Sequence, residues 1–73
     1  MKSLHFTTII QQEGEYFVSR CTELGVVSQG KTIDEAQKNL REAIDLYLED
    51  APEEVVAQAQ QHPFVTTLDV EYA

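Results

Sequence analysis

A chain of 73 residues, 42% hydrophobic and with a formal charge of −8, is one small domain spanning residues 1–73. Its single cysteine, Cys21, excludes an internal disulfide and a cysteine-based metal site, and no stretch reads as a signal peptide or a bilayer span, so a soluble, cytoplasmic protein is expected. The charge is uneven: up to Lys31 three bases balance three acids, whereas from Thr32 onward only Lys38 and Arg41 face ten acids. Phosphate neutralisation needs clustered Lys and Arg, so direct nucleic-acid binding by this chain is not expected, while a basic protein partner suits such a surface. A core this small leaves roughly 3 to 5 kcal/mol of net stability unless another subunit contributes, which makes a homo-oligomer, dimer or higher, the expected state.

From the N-terminus, Leu4 to Gln12 (LHFTTIIQQ) is β-branched and alternating, with Leu4, Phe6, Thr8 and Ile10 on one face, and reads as a strand. Glu13-Gly14-Glu15 is a polar turn into a second strand, Tyr16 to Cys21, and the two should form an antiparallel hairpin. The second strand carries bulk on both faces, Tyr16 and Val18 against Phe17 and Cys21, so both sides of the sheet need cover, from the helix or from another copy. Thr22 to Leu24 connects to a short third strand, Gly25 to Ser28, and Gln29-Gly30-Lys31 is the turn before the helix.

Thr32 to Asp50 (TIDEAQKNLREAIDLYLED) spells one helix of about five turns. Ile33, Ala36, Leu40, Ile44, Tyr47, Leu48 and Ala51 recur at three- and four-residue spacing and form one apolar stripe. Thr32 and Glu35 make a capping box, the threonine oxygen taking an amide of the first turn and the glutamate reaching back to the amide of Thr32. Asp34 and Glu35 suit the positive end of the helix dipole. Pro52 to Gln61 is a second, acidic helical segment closed by His62-Pro63, and Phe64 to Tyr72 (FVTTLDVEY) alternates as a terminal strand, at a sheet edge or paired with a second subunit. The predicted fold is α+β: a three-stranded antiparallel meander, the main helix across one face, a short second helix and a C-terminal fourth strand.

The stretch YFVSRCTELGVVSQGKTIDEAQKNLREAIDLYLE resembles the HicB antitoxin family on Tyr16, Glu23, Leu24, Gly25, Ser28, Gln29, Gly30, Thr32, Glu35, Ala36, Asn39, Glu42, Ala43 and Ile44. The resemblance implies a truncated ribonuclease-H-like fold without nuclease activity, acting as the antitoxin of a two-protein system by binding and blocking HicA, a small basic ribonuclease. Many members have Pro-Glu-Leu-Pro-Gly where this chain has Thr22-Glu23-Leu24-Gly25, one residue shorter, which implies a tighter connection. Full-length antitoxins usually carry a helix-turn-helix or ribbon-helix-helix module after this domain; the sequence to Ala73 shows none, so operator binding is not expected of it.

The residues themselves offer no catalytic constellation. A ribonuclease-H site needs carboxylates from strands converging on two metal ions, and the first strand has no acid. Asp34, Glu35, Glu42, Asp45 and Glu49 read as the solvated face of the helix, and Asp69 and Glu71 as that of the last strand. His5 and His62 lack a second ligand at metal spacing, and Cys21 reads as a small buried apolar group. No enzyme activity, cofactor or metal is therefore expected. Leu46 is the exception to the amphipathic pattern, because at 100° per residue it falls on the outward face among Glu35, Asn39, Glu42 and Glu49. An apolar anchor inside a charged rim is how protein contacts are often made, so Glu35, Glu42, Leu46 and Glu49 are the candidate partner-binding residues. Two functions follow: an antitoxin-type protein that docks on a basic HicA-type toxin, or an orphan homo-oligomeric domain that binds another protein or a small ligand. A deep pocket lined by Tyr16, Phe17 or Tyr47 would favour the second.

Overall fold

The computed structural model describes residues 4–73. Among them the chain forms β1 (Thr8–Glu13), β2 (Tyr16–Cys21), β3 (Val27–Gly30), α1 (Ile33–Glu49) and α2 (Glu53–Ala59). The strands make one antiparallel sheet in the order β1-β2-β3. The class is α+β, with a three-stranded meander and two helices, as the residue pattern predicts.

The hairpin is tighter than the sequence suggests. Glu13 already pairs with Tyr16, leaving Gly14 and Glu15 as a two-residue loop. Gly14 has φ +62° and Glu15 does not share the positive sign, the pattern of a type II′ turn, whose twist matches that of the strands. At the other end, Leu4 to Thr7 precede β1 instead of belonging to it. The Thr7 amide, which would otherwise enter the ladder, donates to the Glu23 carboxylate at 2.7 and 3.0 Å.

The third strand is displaced by two residues from its expected place at Gly25 to Ser28. Gly25, at φ +73°, closes a turn in which its amide donates to the Cys21 carbonyl and the Cys21 amide donates to the Val26 carbonyl. The strand proper starts at Val27 and runs through Gln29 and Gly30, the residues expected to turn. Gly30 is buried where a Cβ would lie 2.5 Å from the Ala36 amide nitrogen, so a glycine is needed for close approach to α1, not for reversal.

The expected start of α1 is found. Thr32 is the N-cap, and its Oγ1 accepts from the Glu35 amide at 3.0 Å. The Glu35 carboxylate accepts from the Lys31 amide at 3.0 Å, one residue earlier than in the expected reciprocal pairing with Thr32. α1 packs chiefly on β3 and β2 and only marginally on β1. The contact is made with small groups: Ser19, Cys21 and Ala36 are fully buried, and the Ser19 hydroxyl donates to the Ala36 carbonyl at 2.8 Å. Leu40 is the one large side chain in this layer that is nearly inaccessible.

Two members of the expected stripe are in solvent: Ile33 is 51% and Tyr47 42% exposed. The reason is length. A 17-residue helix spans about 25 Å, whereas β3, with four residues, spans about 13 Å, so the ends of α1 overhang the sheet. Ala43, Ile44, Leu48 and Ala51 are half-buried. α2 is shorter than expected, with Pro52 as its N-cap, and it buries Ala59.

The fourth strand expected at Phe64 to Tyr72 does not form among the described residues. Residues 62–73 have no regular structure, and residues 64–73 are exposed throughout, Phe64 at 102% and Tyr72 at 95%. The radius of gyration, 14.3 Å, exceeds the about 11 Å of a compact chain of this length, because this tail leads away from the domain.

Candidate functional site

The predicted partner-binding residues share the outer face of α1. Glu35, Glu42, Leu46 and Glu49 are all exposed, Leu46 at 65%. Their positions on the helix fall within an arc of about 60° at 100° per residue. Among the described residues none of the three glutamates forms an ion pair, so their charge faces solvent undiminished while the Glu35 carboxylate is held by the Lys31 amide. Asn39, between them, plays a structural part, since its Nδ2 donates to the Gln29 carbonyl at 2.8 Å and so ties the helix to the outer edge of β3. Leu46 and Tyr47 also flank a shallow cleft of about 350 Å³ with Asp50, Ala51 and Pro52.

A larger feature lies on the other flank of α1. Because α1 sits over β3 and β2, the β1 side of the same sheet face is uncovered, and an open groove of about 920 Å³ runs between α1 and the segment around β1. Leu4, Phe6, Leu40, Ile44 and Leu48 supply its apolar lining, and Lys38 and Arg41 stand against Asp34 and Asp45 along it. Neither Tyr16 nor Phe17 lines it, and Tyr47 belongs to the smaller cleft. Residue periodicity gives no sign of the groove, because it depends on how far the helix reaches across the sheet.

Glu23 is the other residue whose position the sequence did not disclose. Its side chain is 2% exposed, 3.4 Å from His62 Nδ1 and 3.9 Å from the Cys21 sulfur. Burial alone would raise the Glu23 carboxyl, but the Thr7 amide bonds and the neighbouring His62 outweigh it and hold the group below its ordinary value. Burial pushes the Cys21 thiol up, and the Glu23 charge adds to that effect, so this sulfur is not an activated nucleophile. The cluster acts as a clasp: Glu23 ties the connection after β2 to the chain entering β1, and His62 brings the end of α2 to the same point. The available signal was an acid in a tight Glu-Leu-Gly connection.

Among the described residues no group of three or more His, Cys, Asp or Glu side chains is placed to hold a metal ion, and no helix is long and apolar enough to cross a membrane. What the arrangement offers is surface: an acidic face with an exposed leucine beside its glutamates, and an open groove with an apolar lining.

No protein-family model matches the chain, and no solved structure matches it. Among curated proteins it is similar to a UPF0150 protein of Helicobacter pylori (strain J99 / ATCC 700824), with 33% identity over 66 residues that cover 89% of this chain and 92% of that protein. Similarity at that level along nearly the full length of both chains places this one: it belongs to the UPF0150 family.

Proposed function

We propose that this chain is a HicB-like, antitoxin-type protein of the cytoplasm, without enzyme activity, that neutralises a small basic HicA-type ribonuclease by docking on it. The observation that carries this reading is Leu46, a large apolar side chain 65% exposed beside Glu35, Glu42 and Glu49 on the outer face of α1. Anchors of this kind, ringed by charge that excludes competing partners and steers encounter, dominate many protein interfaces. The formal charge of −8 supports a cationic counterpart. The β1-β2-β3 order followed by a helix is compatible with the truncated ribonuclease-H-like fold that the resemblance implies.

The test is whether a short basic reading frame adjoins this gene and, on its co-expression with this chain, what pull-down and a growth assay give. Rescue of growth and a stable complex are expected, and Leu46→Asp should weaken the complex by more than about 1 kcal/mol, a hot-spot-scale loss. Glu42→Lys should slow association at low salt and have little effect at high salt, as a rim charge does. A complex whose affinity ignores Leu46→Asp removes this face from the interface, and absence of any complex refutes the reading. The second reading, an orphan homo-oligomeric domain that binds another protein or a small ligand, draws on the groove of about 920 Å³ and predicts no such adjacent reading frame.

A further inference from the structure

We infer that the outer face of the sheet, turned away from α1, is a contact between two copies of this chain, related by a two-fold axis that sets Arg20 of each against Glu13 and Tyr16 of the other. The position of α1 defines this face. Ser19 and Cys21 are fully buried and the Ser19 hydroxyl donates to the Ala36 carbonyl at 2.8 Å, so the alternation of β2 turns Tyr16, Val18 and Arg20 to the opposite side. Ladder partners share a face. The register therefore places Ile9 and Val27 on either side of Arg20, and Glu13 beside Tyr16. The face is left open, with Ile9 44%, Tyr16 43% and Val27 51% exposed. Three large apolar side chains thus meet water on one small surface.

Charge decides what can cover it. The chain carries −8, but the outward strand positions hold one acid, Glu13, and one base, Arg20, so this face is neutral. A cationic partner finds its complement on the acidic outer face of α1, whereas a second copy, equally acidic, is repelled least here. Neither charge is matched within its own chain, since among the described residues the one ion pair joins His62 to Glu23.

The two charges lie toward opposite ends of the face, Glu13 at the hairpin and Arg20 beside Cys21 at the far end of β2, and a surface of that kind complements itself under one rotation. An axis across the strands through Val18, midway between two facing sheets, stacks Val18 on Val18. It also lays each Arg20 over Tyr16 and Glu13 of the other copy, where the guanidinium meets an aromatic ring and a carboxylate. An axis along the strands would instead put Arg20 against Arg20, like charges at close range. The face measures roughly 14 by 20 Å at ordinary strand spacings. Two copies bury on the order of 900 Å² between them, which makes a weak contact with Kd on the order of 10 to 100 μM. It lies on the side of the sheet opposite α1, so this inference and the proposed toxin contact through Leu46 stand or fall separately.

The experiment is a charge exchange on the full chain. Sedimentation over a concentration series should show monomers of 8.3 kDa passing to dimers, and Arg20→Glu or Glu13→Arg alone should each raise Kd at least tenfold, because each sets like charges together. An equimolar mixture of the two variants should then dimerise at least as well as wild type, since every contact across the axis pairs a glutamate with an arginine. Both positions are exposed, and far-UV circular dichroism should be unchanged in each variant. Independently of any substitution, a mixed sample of isotope-labelled and unlabelled wild-type copies should give intermolecular NOEs at Val18. A chain that stays monomeric up to millimolar concentration, a dimer indifferent to Arg20→Glu, a mixture that fails to dimerise, or a dimer without NOEs at Val18 would each overturn the inference.

Discussion

Replacing Gly30 by alanine tests the closest contact in the fold. The added methyl would sit 2.5 Å from the Ala36 amide nitrogen, 2.8 Å from the Glu35 carbonyl carbon and 2.9 Å from the Glu35 Cβ. Ordinary contact between such atoms is about 3.5 to 4.0 Å, so β3 and the first turn of α1 must part by about 1 Å. The obstacle is backbone, and that backbone is fixed by the Thr32 cap and by the Ala36 amide bonded to the Thr32 carbonyl at 2.9 Å. Overpacking of this kind costs about 1 to 3 kcal/mol, and immobile helix backbone puts Gly30→Ala toward the upper end. The loss of unfolded-state freedom returns about 0.4 to 1 kcal/mol. The net is about 2 kcal/mol, a large part of the roughly 3 to 5 kcal/mol such a domain holds, and it should lower Tm by about 8 to 16 °C. Urea denaturation followed by circular dichroism at fixed chain concentration measures it, since self-association would otherwise move the midpoint. Gly14→Ala is the control: nothing lies within 4 Å of its Cβ, and only the positive φ costs, about 1 to 2 kcal/mol. A Gly30→Ala protein as stable as wild type would refute the close-approach explanation of this glycine.

Two further outcomes concern the core and the clasp. Leu40→Ala removes the largest fully buried side chain and should cost about 2 to 5 kcal/mol, enough to abolish most helical signal at room temperature; a loss below about 1 kcal/mol would mean that the α1–sheet layer is not the core. Glu23→Gln removes a carboxylate that accepts twice from the Thr7 amide and should cost about 1 to 3 kcal/mol near neutral pH. The Glu23 carboxyl is held below its ordinary value of 4.5, so its contribution is complete above that value and disappears as pH falls through the lower, folded-state value. The stability gap between wild type and Glu23→Gln should therefore close in acid, and urea midpoints showing an unchanged gap there would contradict the role of the charge.

Features whose causes lie within a few residues of each other are legible in the chain alone. The Thr32 cap, the helix from Ile33 to Glu49, the limits of β2 and the glycine at the hairpin are each set by local hydrogen bonds and by one residue's allowed φ. Leu46 points outward as its place in the sequence requires, because helical periodicity fixes a direction regardless of what lies opposite. Other features depend on how the elements come together. Whether Ile33 and Tyr47 are covered depends on how long the sheet beneath them is, and whether Gly30 turns or stays in β3 depends on how near α1 comes. The groove and the Glu23 clasp join segments far apart in the chain, and the alternation of residues 64–72 reads as a strand in the sequence but supplies no neighbour, and no strand forms there. A strand needs an edge to pair with, and no pattern within the strand says which edge, or whose.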